Sequence, residues 1–540
     1  MKHGLRALAG YLLVAGALHA VTFFVDPGAG DDQAAGTSTE HPWRTLKRAQ
    51  QAELRAGDQL LLAAGVRHTG RLYFESLAGT AAAPIVIGSY PRPGVDPRAT
   101  ALMDGRGTPG ALGLKNCRHV RVENLALTAD GGAPVGDMRC GLLVEVDGAG
   151  EYPGIVLNRL LVKSVSFEQP GFVRPAAEVK TANGNGRYGW GIRFIVRPGQ
   201  AVLRGITIRD CVIDRVDHTG LKFTAPVDGI RDVLVENVVV SNSGGPGIQL
   251  SGVTGGRFAN LTVDHSGSTG DTRNWGRGSG LWTWSTRDVV IERSRFTNAN
   301  GPGDSAGVHV DYHCRNVIVQ YNLSARNAGG FCEILGDNFN CAYRYNISVD
   351  DGRRVKGRNG AFQEGKVFWL SGFVGSGQPP RGPFNSYFYN NTIYVGADIE
   401  AKFAIAPTAA GVLIANNIFC LVGRSSRVAG DQAPDERVAE RAGERVFFAN
   451  NLFLRADNWP EGLGLQDTAP LLGDPSFAQP GGLALTDYTP RNRALVKDRG
   501  IKIPFIPGDE IGLTLGLEVA EDIFGQPVVG APDLGAIELR

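Results

Sequence analysis

The chain carries almost no net charge: 55 Lys and Arg face 54 Asp and Glu, a formal balance of +1. A nucleic-acid surface usually needs a basic face, so nucleic acid is not an expected partner. Long apolar runs are also missing. The stretch Ala7–Ala17 is too short to cross a bilayer, and no other segment is suited to one, so stable membrane insertion is not expected. With Lys2 and Arg6 before it and small residues after it, residues 1–20 read as an export leader cleaved after Ala17 or Ala20. The expected location is secreted or periplasmic. The leader has no cysteine, so a lipid anchor is not expected there. Cysteines number seven, at 117, 140, 211, 314, 332, 341 and 420, without a close CxxC pair. An odd count leaves at least one thiol unpaired. They read as buried thiols, with a bridge among Cys314, Cys332 and Cys341 left open for an oxidising compartment. Helix-forming patterns are scarce beyond the N-terminal region.

What is present is glycine, 74 of them, and a recurring unit of glycine, apolar, variable, apolar, variable. It reads Gly191-Ile-Arg-Phe-Ile, Gly220-Leu-Lys-Phe-Thr, Gly247-Ile-Gln-Leu-Ser, Gly280-Leu-Trp-Thr-Trp and Gly307-Val-His-Val-Asp. Successive glycines lie 29, 27, 33 and 27 residues apart, the differences between positions 191, 220, 247, 280 and 307. A five-residue alternating segment returning at such intervals predicts stacked short strands, one per repeat. A solenoid of this kind grows without a single central core, so the length does not demand several domains.

A second recurrence places asparagine at the end of short β-rich runs: Asn124, Asn158, Asn237, Asn260, Asn322, Asn346, Asn391, Asn417 and Asn451. Asparagine tolerates the left-handed turn conformation and, when stacked, hydrogen-bonds along a column. The expectation is one ladder.

The fold predicted is all-β, a single-stranded parallel β-helix of about ten coils. Residues 1–20 form the leader, 21–100 an N-terminal cap with first strands, 101–455 the coils and 456–540 a C-terminal cap. Insertions are expected near 170–188, 268–279 and 370–385, on one face of the stack. The cap signals are Thr22-Phe-Phe-Val-Asp-Pro-Gly-Ala-Gly-Asp-Asp, then Pro42-Trp-Arg-Thr-Leu-Lys-Arg-Ala as a short amphipathic helix, then the strands in 55–65 and 83–90. This opening resembles that of secreted right-handed parallel β-helix carbohydrate-active enzymes, the pectate-lyase-like superfamily of polysaccharide lyases and glycoside hydrolases. The ending Gly530-Ala-Pro-Asp-Leu-Gly-Ala-Ile-Glu resembles their closing motif. The resemblance implies a right-handed helix and a polysaccharide or oligosaccharide substrate.

Alternation sends Leu221, Phe223, Ile248, Leu250, Leu281, Val308 and Val310 inward, and the residues between them outward to solvent. The first outward column is then Arg193, Lys222, Gln249, Trp282 and His309; the second is Ile195, Thr224, Ser251, Trp284 and Asp311. With Gly329 in the glycine position, Glu333 falls beside Asp311, and from Gly360 the next coil adds Glu364 to that column. With Gly330 instead, Glu333 would turn inward, where an unpaired carboxylate is costly. Adjacent strands lie about 4.8 Å apart, close to the separation of about 5–5.5 Å that retaining glycosidases use. Like charges so close also drive two pKa values apart. The pair resembles that of β-helix β-xylosidases, which implies Asp311 as nucleophile and Glu333 as acid/base. Glu364 is the substitute acid. The bland alternative is a solvated carboxylate pair.

Trp282 and Trp284 offer aromatic faces to sugar rings. Gln249, His309 and His313 suit hydroxyls. A metal at His309-Val-Asp311-Tyr-His313 would require further ligands to converge, so hydrogen bonding to hydroxyls is the more economical reading and no metal is expected there. Asp337, with Asn338 and Asp304, sits at turns where hydroxyls, or a calcium ion as the single cofactor left open, would be held. Three functions stay open. Hydrolysis would use Asp311 and Glu333. Lyase or C5-epimerase chemistry on a uronate would use Lys222 and Arg193 as base and charge neutraliser. The arrangement resembles β-helix alginate and chondroitin lyases, although their arginine follows the lysine by a coil and here Arg193 precedes Lys222. The third is a non-catalytic glycan-binding β-helix.

Overall fold

The fold was analysed in a computed structural model that describes residues 20–131, 138–166, 188–267, 277–375, 377–428, 445–460 and 467–540. The expected leader lies outside the described residues apart from Ala20, and so does most of the insertions expected at 170–188 and 268–279. Among the described residues no helix is long and apolar enough to cross a membrane.

Alternating sequence and stacked pairing build a parallel β-helix. A 12-stranded sheet forms one face, and the strands of a 27-stranded sheet form the rest of each turn. One coil runs Leu281–Trp284, Arg287–Glu292, Arg295–Thr297; the next repeats it as Val308–Val310, Arg315–Gln320, Leu323–Ala325. Each strand pairs in parallel with its counterpart one coil on. Twelve strands stack on the shorter sheet because the series begins at Leu72–Glu75, within the segment expected to cap it. The inward residues of successive coils form one continuous apolar core.

The repeating glycines follow from the closeness of this stack. A Cβ on Gly280 would lie 2.5 Å from the Gly307 carbonyl oxygen, and one on Gly220 would lie 2.4 Å from Val240. Only a residue without a side chain lets the coils approach there.

The asparagine recurrence divides into two devices. Asn322, Asn346, Asn391, Asn417 and Asn451 are buried and form one ladder, each amide nitrogen donating to the next Oδ1 at 2.9–3.0 Å. Asp467 ends it, accepting from Asn451 Nδ2 at 2.6 Å. Asn124, Asn237 and Asn260 instead hold left-handed turns, with φ of 56°, 56° and 54°. Of the nine expected ladder positions, five form the ladder and three are turns, while beside the ninth, Asn158, the left-handed residue is Arg159, with φ of 49°. All seven cysteines are free and buried, so the bridge left open among Cys314, Cys332 and Cys341 does not form.

At the N-terminus Thr22–Val25 pairs with Gln59–Ala63, and the expected helix is one turn, Leu46–Ala49. Thr45 caps it, accepting from Arg48 N at 3.1 Å, and Asp32 fixes Thr45 in turn at 2.7 Å. At the other end the chain closes the last coil at Leu471–Leu472 and then doubles back along the flank of the large sheet. Tyr321 Oη donates to the Glu521 carbonyl at 3.0 Å, Arg344 to Gly516 at 2.8 Å and Tyr389 Oη to Leu517 at 2.8 Å. A second apolar core lies beneath this strap.

Candidate active site

The first outward column assembles in the expected register: Arg193 opposite Lys222, Lys222 opposite Gln249, Gln249 opposite Trp282, Trp282 opposite His309. In the second, Ile195 opposes Thr224 and Ser251 opposes Trp284. The next coil corrects the expectation. Val310 pairs with Ile334, and Ala306 bridges to Gly330. That is an offset of 24 residues (334−310), so Glu333 stands beside His309 rather than Asp311. The glycine slot of this coil belongs to Phe331, whose ring packs edge-on against Tyr343 inside the coil at 5.2 Å. The two-residue slip keeps Glu333 outside the apolar core, because side-chain direction has period two.

Glu364 is not in the column. The strand of its coil begins at Lys366, and Trp369 takes the slot beside Glu333. Glu364 lies in the preceding loop, 2.8 Å from Lys402 Nζ. Nor is the column a solvated face. Lys222, Gln249, Trp282, His309 and Glu333 are 1–3% exposed, so a solvent-facing carboxylate pair does not describe it.

Three buried carboxylates gather around His309: Asp304, Asp311 and Glu333. Each interacts electrostatically with this imidazole. Glu333 Oε2 lies 3.8 Å from His309 Nδ1. Trp282 donates its indole N–H to Asp311 Oδ2 at 2.7 Å and stacks on His309, so it positions an acid and is not an open sugar platform. Asp304 closes the turn before Val308–Val310. Its Oδ2 lies 2.8 Å from Arg277 Nε, and its carbonyl accepts from Arg354 at 2.6 Å.

These environments push the three acids apart. Burial raises Glu333 to about 7, against His309 and Lys366. Burial also raises Asp311, with Asp304 adding to it and His309 and the Trp282 bond opposing. Burial works the same way on Asp304, but Arg277, His309, Arg354 and Lys366 outweigh it and hold that carboxyl below its ordinary range. Several buried polar atoms here have no hydrogen-bond partner among the described residues: both His309 nitrogens, both Glu333 oxygens, Asp304 Oδ1, Gln249 Oε1 and Trp369 Nε1. Such atoms cost about 1–3 kcal/mol each if left unpaired. Their concentration on neighbouring coils marks a site suited to hydroxyl groups.

Around this centre the other expected residues divide. Trp284 is 37% exposed at the rim, its ring 5.1 Å from Tyr312. His313 is bound to Asp337 at 2.7 Å, and Arg381 reaches the same Asp337 oxygen at 2.8 Å, so one oxygen of that carboxylate is engaged by two side chains. Lys222 is deeply buried, and burial with Arg193 beside it lowers its pKa well below the usual lysine value. Arg193 turns aside onto the Trp190 ring, 4.3 Å away, and donates to Met138 Sδ. Sequence reasoning missed Arg277, Arg354, Lys366 and Trp369, and placed Asp304 at a turn that would hold a hydroxyl or a calcium ion rather than among the acids. The Asp304–Asp311 interval on one coil was a usable signal; the arginines, which lie off the strand alternation, left none.

The family model described as right handed beta helix region matches residues 194–365. A curated lacto-N-biosidase of Bifidobacterium longum subsp. longum is 24% identical over 627 aligned positions, covering 96% of this chain and 36% of that protein. The chain thus spans about a third of that relative's length. The crystal structure of a GH136 lacto-N-biosidase from Eubacterium ramulus is 18% identical and superposes with a TM-score of 0.51, covering 74% of this chain and 68% of that one. Pectate lyase Pel9A, 12% identical, covers 97% of this chain and 98% of its own with a TM-score of 0.43. The family model and the first of these structures establish the fold as a right-handed parallel β-helix.

Proposed function

We propose that this chain is an exported glycoside hydrolase that cleaves oligosaccharides with carboxylates drawn from Asp304, Asp311 and Glu333. The observation that carries the reading is the separation of their protonation states around one imidazole. Hydrolysis needs one carboxyl that keeps its proton at neutral pH and one that stays ionised. Glu333, held protonated to about pH 7, is the acid that protonates the leaving oxygen. Asp304, kept ionised beside Arg277, is the anionic side, and Asp311 is oriented next to it by Trp282. The unpartnered Oδ1 of Asp304 favours a direct role for it beside Asp311.

The corrected register bears on stereochemistry. Glu333 is one strand across and two residues along from Asp311, an offset of about 8 Å between backbones at ordinary strand spacing and rise. Retention then rests on Asp304 as the nucleophile with Glu333 as the acid, and it is the expected outcome in proton NMR of the fresh product. Inversion would instead assign Asp311 and Glu333 acting across a water.

The relatives named lacto-N-biosidase make a lacto-N-biose-bearing oligosaccharide the first substrate to try within a glycan panel. The panel is read for new reducing ends and for the ultraviolet absorbance of an unsaturated uronate. Reducing ends without absorbance are expected, with each of Asp304→Asn, Asp311→Asn and Glu333→Gln lowering turnover by at least a hundredfold while the fold persists. Absorbance would move the chemistry to Lys222. The rotation of Arg193 onto Trp190 counts against that, since the guanidinium is not presented beside Lys222. Near-wild-type rates in all three variants would remove this site assignment, and absence of cleavage on every glycan would leave a glycan-binding β-helix.

A further inference from the structure

Around the corner from the acids lies a cavity of about 850 Å³, where the turns that lead into the short sheet stack. Its wall includes Arg326, Arg353, Arg354 and Arg358, with Asn298 and Asn300. Such a concentration is unexpected in a chain whose net charge is +1. Within Arg353–Arg358 alone the sequence places Arg353, Arg354, Lys356 and Arg358. Arg326, Arg353 and Arg358 are exposed and form no ion pair among the described residues. The nearby carboxylate, Asp264, is already bound by Thr297 at 2.6 Å, Asn298 at 2.8 Å and His265 at 2.6 Å.

Arg354 has a different part. It is buried and donates to the carbonyls of Gln363, Gly301 and Asp304. It therefore forms the partition between this cavity and the turn carrying Asp304. The volume lies within the usual range for small-molecule sites of about 300–1,000 Å³, more than a bare inorganic anion fills. A guanidinium presents paired N–H groups that fit a carboxylate or a sulfate ester bidentately, and the asparagine amides add neutral donors suited to hydroxyls.

We infer that this cavity binds an acidic sugar unit, bearing a carboxylate or a sulfate ester, of the glycan cleaved at the neighbouring acids. The inference rests on the hydrolase reading only for the glycan's being a substrate; the binding itself is measured without any cleavable bond. Isothermal titration of the full-length protein uses four monosaccharides: glucuronic acid, N-acetylglucosamine 6-sulfate, glucose and N-acetylglucosamine. Inorganic sulfate is the fifth probe. At least one acidic sugar is expected to bind tenfold or more tightly than its neutral counterpart, with a preference that weakens as salt rises. Arg353→Ala/Arg358→Ala, both exposed positions, is expected to abolish the preference while keeping the wild-type melting temperature; Arg326→Ala is the independent second variant. Equal binding of acidic and neutral sugars would overturn the inference, as would a preference that survives both variants. Inorganic sulfate binding as tightly as the sulfated sugar would reduce the cavity to an anion site and overturn the sugar assignment. Absence of hydrolysis on every glycan would count against the proposed function and leave this binding result standing.

Discussion

At the scale of single residues, the site is governed by what burial does to three carboxyls. Glu333 is the most affected, raised from an ordinary 4.5 to about 7. Its folded pKa lies above its unfolded one, so the protonated form is favoured by folding. That contribution is fully present below about pH 4.5 and is lost as pH rises through about 7. Melting temperature should therefore fall across that window in the wild type and fall less in Glu333→Gln, as differential scanning calorimetry at pH 5, 6, 7 and 8 would measure. The same titration predicts that hydrolysis declines above about pH 7, because the acid form is the one that donates. A thermal profile identical in the two proteins would mean that Glu333 is not shifted. Burial raises Asp311 in the same direction, and the hydrogen bond that Trp282 supplies to its charged form only opposes that rise.

At the scale of elements, asparagine shows how one residue type serves two structures. In the buried ladder, Asn391 donates to Asn417 and to the Tyr343 carbonyl and accepts from Asn346. Replacing it by alanine strands several buried groups at about 1–3 kcal/mol each. Asn124 holds an outward left-handed turn, which glycine also adopts at little cost. Asn391→Ala should lower the denaturation midpoint markedly and Asn124→Gly hardly at all, as paired urea titrations would read. Equal effects would mean that the ladder does not hold the coils. The strand order and the column from Arg193 to His309 were legible in the sequence because glycine spacing and alternation record the coil length directly. Glu333 was misplaced because Phe331 stands where earlier coils have glycine, so the marker used to count the coil was absent. Glu364 was misplaced for a related reason: the loop before Lys366 lengthens that coil, and alternation carries no information about loops. Burial of the column was equally hidden, since the turns that cover it, such as the one ending at Asp304, come from beyond the strand that each residue occupies.

At the scale of the whole molecule, the coils form a one-dimensional array in which each strand pairs with its neighbours alone. The strap formed by the C-terminal residues departs from that scheme. It touches Tyr321, Arg344 and Tyr389, on three successive coils, and covers the second apolar core. Deleting residues 497–540 should therefore uncouple the later coils from the earlier ones. The expected result is a change from one thermal transition to two or more, with binding of a hydrophobic dye before the main transition. A single unshifted transition would show that the strap is dispensable. There is also a consequence for the order of synthesis. Coils can stack in sequence as the chain leaves the ribosome, but the tyrosines of the flank stay bare until the final segment emerges. Construction proceeds from one end while completion waits on the other, so the interval between them is when the nascent protein most needs protection from its neighbours.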